Sequence, residues 1–437
     1  MGVSGTMECE CNYQIFVDEN RKINSSECVV RLEEETLSIL PKFGEPLSIT
    51  FRDVLSFKAS DYKVYFDLTS KEKVILSNLG YAYDDFIRIF SKLRNEVLLK
   101  DLLMNESLRK SGVEATFAFY NEAGEKEQEG QCDPRLYETG IVIIPNKGEI
   151  LRIPYSEISQ ISDEDYTLSI TTDYGEKIEF SMMGMKFDSF RDTLSEVYTE
   201  RQLEVQSYLK ELLPDANPLI IRKAARLMKE GKAAKRSDIE SISSELWREL
   251  ENKLRIFGIK KEYDFLKKMS REQKICIGMK RGLLGDLTGE YIWFLIPLYG
   301  DGAKEVGNAI AMEATSEEGT GKATYFFRIV GRDEYQKLSL EEMDKKTDDF
   351  IKKMNKCMLA INFRREPIYL PDERLEEPRY LKYRFAIQKI PSLRILRSLF
   401  IGRVIHRSPE QWQEDVMDLL KFNVCSKEDS VKWKRPS

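Results

Sequence analysis

Apolar positions in the first hundred residues change period once. Leu47, Ile49 and Phe51 alternate with Ser48 and Thr50, the period-two signature of a half-buried strand. Tyr13–Val17, Cys28–Leu32, Thr36–Leu40, Asp53–Ala59, Lys63–Leu68 and Val74–Ser77 read as further strands, with turns at Ser60-Asp61 and Ser70-Lys71-Glu72. After Gly80 the period becomes helical. Phe86, Ile89, Phe90 and Leu93 share one face, and Asp84-Asp85 occupies the first turn, where acids favour the helix dipole. The pattern predicts a helix from about Tyr83 past Leu99.

The same pattern then returns. Shifted by 104 residues, Tyr13–Glu96 falls on Phe117–Glu200 without a gap, with 21 identities in 84 positions. Cys28 meets Cys132, Pro41 meets Pro145, Gly44 meets Gly148, Asp61-Tyr62 meets Asp165-Tyr166, and Gly80 meets Gly184. This is a duplicated domain. Its second copy places Ile141, Ile143, Leu151, Ile153, Leu168, Ile170, Ile178 and Phe180 on strands and Phe187, Phe190, Leu194 and Val197 on a helix.

Two segments, LSITFRDVLSFKASDYKVYFDLTSKEKVILSNLGYAYDDF and LRIPYSEISQISDEDYTLSITTDYGEKIEFSMMGMKFDSF, carry a family resemblance. A strand, a short acidic turn, a strand ending near Asp-Tyr, two more strands, then Gly and a helix: this order resembles pleckstrin-homology-like (PH-like) domains in their GRAM and bacterial variants. The resemblance implies an α+β chain with two tandem antiparallel β-barrel or sandwich domains, each closed by a C-terminal helix. It also implies recognition of a protein segment or a lipid headgroup, with no catalysis and no cofactor. The expected domains are 7–106 and 111–213.

Beyond them, Pro218, Ile220, Ala224 and Leu227 start a helical connector, 214–270, and 271–437 reads as a C-terminal α+β domain. Its strands are Tyr291–Pro297, Asn308–Ala314 and Lys322–Val330. Its helices are one capped by Ser339, one over Leu393–Val404 and one over Pro409–Phe422. Strands followed by a long helix also allow a third, diverged PH-like unit there.

Composition narrows the function classes. A net charge of −6 argues against whole-protein affinity for nucleic acid or anionic membrane. No apolar run is long enough to span a bilayer, and the N-terminus carries no signal peptide. Met1-Gly2 through Thr6 matches the loose myristoylation pattern, but Met7 favours an extension or alternative start. An odd seven cysteines fit reduced thiols in a cytosolic protein, and the Cys9-x-Cys11 pair lacks the further ligands a metal needs.

Chemistry is sparse. Gly319-Thr-Gly-Lys-Ala323 lacks the preceding Gly and following Ser or Thr of a phosphate loop and reads as a hairpin turn. Gly300-Asp-Gly302 with Gly307 lacks dinucleotide spacing. The chain's single histidine, His406, reads as a surface residue at a helix end, which leaves no base for a nucleophilic triad. The acidic runs Glu33–Glu35, Asp163–Asp165 and Asp348-Asp349 read as solvated faces. Basic stretches remain as anionic-ligand contacts: Arg21 and Lys22 in a loop spanning Asp18–Ser26, Arg222, Arg226 and Lys229 on the connector, and Arg394, Arg397, Arg403 and Arg407 on a late helix. The equivalent loop of copy two, Asn121–Gly130, is acidic and repels phosphate.

The expectation is an intracellular binding or scaffold protein with a protein partner. A peripheral membrane protein holding anionic lipid, a chromatin- or nucleic-acid-associated adaptor, and an enzyme built around Arg328 and Arg332 are the alternatives.

Overall fold

The computed structural model describes residues 7–17, 21–103, 106–282, 289–299, 307–316, 322–335 and 337–424. The Met1–Thr6 extension, the glycine spots at 300–302 and 319–321 and the polar tail from Ser426 lie outside these residues. The chain forms two compact units, 1–196 with 378–388 and 197–377 with 389–437.

In the first repeat, β1 (Met7–Val17), β2 (Arg21–Leu32), β3 (Thr36–Pro41), β4 (Leu47–Thr50), β5 (Val54–Ser60), β6 (Lys63–Leu68) and β7 (Glu72–Ser77) form one antiparallel sheet. Its order is β4-β3-β2-β1-β7-β6-β5, so the first strand is central and pairs on both sides. Tyr13, Val30, Leu32, Ile39 and Phe66 point inward and are buried. Helix α1 (Tyr83–Leu103) lays Phe86, Phe90, Leu93 and Val97 on that face, as the 3.6-residue period predicts. The Phe90 ring meets Phe51, Phe57 and Phe66 edge-on at 5.4, 5.0 and 5.0 Å. Truncating such a ring to Ala costs ~3–5 kcal/mol.

One correction concerns β2. The polar run Arg21–Ser26 is strand and not loop, because Val17 and Phe16 pair with Arg21 and Lys22. Ladder hydrogen bonds, which have no signature in side-chain polarity, extend the strand past its apolar part.

The second repeat repeats the plan. A short β8 (Leu108–Lys110) precedes β9 (Ala115–Tyr120), β10 (Lys126–Tyr137), β11 (Gly140–Pro145), β12 (Leu151–Pro154), β13 (Ile158–Glu164), β14 (Thr167–Thr172), β15 (Lys177–Ser181) and α2 (Phe187–Leu212). The order is β12-β11-β10-β9-β15-β14-β13, with β8 beside β10. Helix α1 ties the copies together. Its Asn95 donates to the Gly148 carbonyl at 3.2 Å, and its Glu96 accepts from Arg135 at 3.0 Å. Both curled sheets with a closing helix fit the fold that the resemblance implies.

The second unit begins inside α2. It contains α3 (Pro218–Leu227), β16 (Ala234–Lys235), α4 (Arg236–Glu240), α5 (Ser244–Ile256), α6 (Lys260–Lys267), β17 (Cys276–Arg281), β18 (Glu290–Leu298), β19 (Ala309–Ser316) and β20 (Ala323–Arg328). Then come α7 (Arg332–Tyr335), α8 (Leu340–Ala360) and α9 (Glu366–Tyr369); α10 (Leu381–Lys389) falls almost wholly in the 378–388 segment of the first unit, and α11 (Pro391–Leu399), β21 (Phe400–Ile405) and α12 (Pro409–Val424) return to the second. Ser339 and Glu342 form the capping box that starts α8. The sheet order is sequential, β16 to β21, unlike the repeats, where the first strand is central. Trp247, Leu250, Tyr263, Phe294, Val416 and Leu420 share one core, so the connector helices and the sheet bury each other.

The single helix expected over Leu393–Val404 is instead α11 followed by β21. Phe400–Ile405 pairs with β20, Thr324 opposite Val404 and Phe326 opposite Gly402. At Gly278 a Cβ would stand 2.2 Å from Trp293 Nε1 and 2.5 Å from the Gly231 carbonyl, which that indole donates to at 2.8 Å. Only glycine fits there.

Candidate functional site

Strand β7 ends at Ser77, opposite Asn12. Among the described residues, the preceding part of β1, Met7–Cys11, therefore pairs only with β2. Asn78, held at a positive φ of 60°, turns the chain away towards α1. A cleft of about 530 Å³ opens at this point, along a row that runs Asn78, Cys11, Cys28, Pro41. Cys11 and Cys28 stand directly opposite each other on β1 and β2, with their sulfurs 3.5 Å apart. Hydrogen bonding with Cys28 and burial push the Cys11 thiol up, while the hydrogen bond from Cys11 pulls Cys28 down.

The second repeat carries the same cleft, about 460 Å³. Each of the ten residues lining the first has its counterpart 104 positions on in the lining of the second. The row there reads Met182, Ala115, Cys132, Pro145, with Cys132 opposite Ala115. Burial pushes the Cys132 thiol up to about 12. Arg88, Lys92 and Arg135 also border this cleft, and Arg135 is bound by Glu96 and Asp133. The two clefts thus share shape and differ in lining.

Beside each cleft lies an apolar shelf. In copy one, Tyr62, Tyr81 and Tyr83 line a hollow of about 470 Å³ that shares Asn78 with the cleft. In copy two the equivalent positions are Tyr166, Met185 and Phe187, with Met182 in place of Asn78. Tyr62 is 79% exposed, Tyr166 75%, and Tyr81 and Met185 are fully so. Tyr62 packs on Tyr83 at 5.5 Å and Tyr166 on Phe187 at 5.6 Å. The hairpin tips that present them are strained. Asp61 and Tyr62 sit at φ of 53° and 55°, Asp165 and Tyr166 at 48° and 57°. Left-handed backbone at bulky residues clusters at functional positions. Acids surround the shelves: Asp61, Asp84 and Asp85 in one copy, Glu164, Asp165 and Asp188 in the other, all exposed.

The basic residues singled out in the sequence do not converge. Arg21 and Lys22 open β2. Arg222 and Arg226 are exposed on α3, while Lys229 is half-buried in a turn after it. Arg394 is exposed on α11, but Arg397 of the same helix turns inward. It donates to the carbonyls of Pro367 and Leu370 at 2.8 and 2.9 Å and to Asp372 at 2.6 Å. Arg403 sits on β21 over the Tyr369 ring at 4.5 Å, and Arg407 lies exposed past the strand end. Arg328 and Arg332, the centre of the enzyme alternative, bind Asn423 and the Phe422 carbonyl near the end of α12.

His406 is not a surface residue at a helix end. It follows β21 and reaches a buried network. Its Nδ1 lies 3.0 Å from Glu262 Oε1, and its Nε2 lies 3.2 Å from Glu313 Oε2 and 3.0 Å from Thr324 Oγ1. Trp412 Nε1 donates to the same Thr324 hydroxyl at 3.1 Å. Burial raises the Glu313 carboxyl above its usual range, although His406 and Thr324 pull the other way. Sequence reading missed this cluster because its members come from α6, β19, β20 and the start of α12.

No family model matches the chain, and no curated protein matches it. Solved structures do match. One, described as the structure of the Spt16D Pob3N heterodimer, is 15% identical over 39% of this chain and 84% of that chain, with a TM-score of 0.17.

Proposed function

We propose that this chain is a non-enzymatic binding protein whose two repeats act as PH-like recognition modules for a protein partner. The observation that supports this reading is the duplicated cleft and shelf. Folding needs the core and the turns, yet the copies also repeat a solvent-facing aromatic at a strained hairpin tip. An exposed edge on β1 suits an extended segment, which such folds hold by backbone hydrogen bonds and alternate side-chain pockets. An aromatic shelf supplies the anchor. Different linings in the two clefts suit two different segments, as a scaffold requires.

Two further observations lean the same way. The chain's only imidazole is committed to two carboxylates, the half-buried Glu262 and the buried Glu313, which removes the usual general base. Arg397 and Arg403 serve internal contacts, which weakens the lipid and nucleic-acid alternatives. Among the described residues no helix is long and apolar enough to cross a membrane. An odd number of cysteines supports a cytoplasmic reading, since thiols stay reduced in that compartment.

The test is selection from a displayed random-peptide library on the immobilised full chain. Peptides that bind are expected to lose about 30-fold in affinity, roughly 2 kcal/mol, when Tyr62 and Tyr81, or Tyr166 and Met185, become Ser. Selected peptides that ignore all four substitutions, or sedimentation with anionic vesicles in place of peptide binding, would overturn the reading.

A further inference from the structure

The cross-strand thiols on the floor of the first cleft form a chemical group that the second cleft lacks. Directly opposed Cα atoms of an antiparallel ladder are ~4.5–5.5 Å apart, inside the ~4.4–6.8 Å that a disulfide spans. Cys11 and Cys28 hold such positions, and their sulfurs lie 3.5 Å apart. Each is about 5% exposed, yet both line an open cleft, so a small oxidant reaches them while bulk protein does not. The fold provides its own control. Cys132 holds the place of Cys28, but Ala115 stands where Cys11 would be. Copy two therefore retains the cleft and one thiol without a partner for it.

We infer that Cys11 and Cys28 are an oxidisable dithiol site, closed to a disulfide by hydrogen peroxide, and that this site belongs to the first repeat alone. The Cys28 thiolate attacks the peroxide oxygen, so an S–O bond forms, the O–O bond breaks and one oxygen leaves as water. Cys11 then attacks the resulting sulfenic sulfur. The S–S bond forms, the S–O bond breaks and the second oxygen leaves as water. Two thiols are oxidised by two electrons and one peroxide is reduced to two waters. The hydrogen bond that Cys11 gives Cys28 favours thiolate at the attacking sulfur. Cys276 and Cys357 are fully buried, and burial pushes both thiols up, so they do not compete. The link would lock β1 to β2 across the cleft floor of one copy only. The site stands whether or not the clefts hold peptides.

The experiment uses the full reduced chain, treated with hydrogen peroxide, unfolded in N-ethylmaleimide and mapped by mass spectrometry. Wild type is expected to lose two of its alkylatable thiols as one disulfide. Fragmentation spectra, which separate Cys9 from Cys11, should place that link between Cys11 and Cys28, with Cys132 still alkylated. Cys11→Ala, which makes copy one resemble copy two, should abolish the link. Ala115→Cys should add a second link to Cys132. Cys11 and Cys28 that stay alkylatable, or a link from Cys28 to Cys9, would overturn the inference. So would an Ala115→Cys chain of unchanged circular dichroism that fails to form the second link.

Discussion

His406 carries the chain's single imidazole into a site walled by Glu262, Glu313 and Trp412. Burial alone would lower its pKa, but hydrogen bonds and charge from the two glutamates outweigh burial and raise it to about 9. The unfolded chain releases the same proton near ~6.5. A raised pKa means that this contribution is complete below about 6.5 and lost as pH rises through about 9, at no more than ~1.4 kcal/mol per pH unit. His406→Gln removes the imidazolium between the two carboxylates and should cost ~3–5 kcal/mol at pH 6, read as a shift in the urea midpoint. The gap between wild type and variant should narrow from pH 6.5 to 9. Taking that difference cancels the titration of buried thiols such as Cys276 and Cys357. A gap that stays constant with pH would show that packing, and not charge, holds the site. None of this was legible beforehand, because residues 262, 313 and 406 meet only through tertiary structure. A lone histidine between Ile405 and Arg407 looks like surface until its neighbours are known.

Among elements, the β5–β6 and β13–β14 hairpins were visible as strands and as a repeated Asp-Tyr, but that identity looked like a need of the fold. A two-residue turn with φ > 0 at both positions prefers Asn-Gly. Tyrosine there costs ~1 kcal/mol. Replacing Asp61-Tyr62 by Asn-Gly should therefore leave stability unchanged or raise it by up to ~1 kcal/mol in thermal melts, while affinity for selected peptides falls. Loss of both would mean that the ring serves folding through Tyr83. Gly278 is the opposite case. Gly278→Ala forces apart a β17–β18–turn contact and should cost ~1–3 kcal/mol or more by denaturant titration. The β21 segment shows why sequence periodicity misleads. Phe400, Ile401 and Val404 continue the apolar spacing of α11, and only pairing with β20 makes them strand. The edge of β1 was unreadable for a related reason: it exists because β7 stops one residue short of Cys11.

At the scale of the molecule, the duplication made two sheets of the same strand order legible from 104-residue spacing alone. What it concealed is that the first unit is not one stretch of chain. Residues 378–388 belong to it, and Arg384 donates to Asp53 at 2.7 Å. Arg384→Ala should speed amide hydrogen exchange in 378–388 and around Asp53, by roughly 10-fold or more for a lost charged hydrogen bond of ~1.5–3 kcal/mol. Exchange in β17 to β20 should not change; a uniform change would mean global destabilisation instead. The contact also has a consequence in time. Asp53 and Arg384 are 331 residues apart. A ribosome adding ~5–20 residues per second takes roughly 15–65 s to make that interval. Through it, the newborn first repeat must keep its shape on Phe90 and the rings around it, with Asp53 held by the Thr50 and Thr69 hydroxyls but without the charge of Arg384 until that residue leaves the exit tunnel.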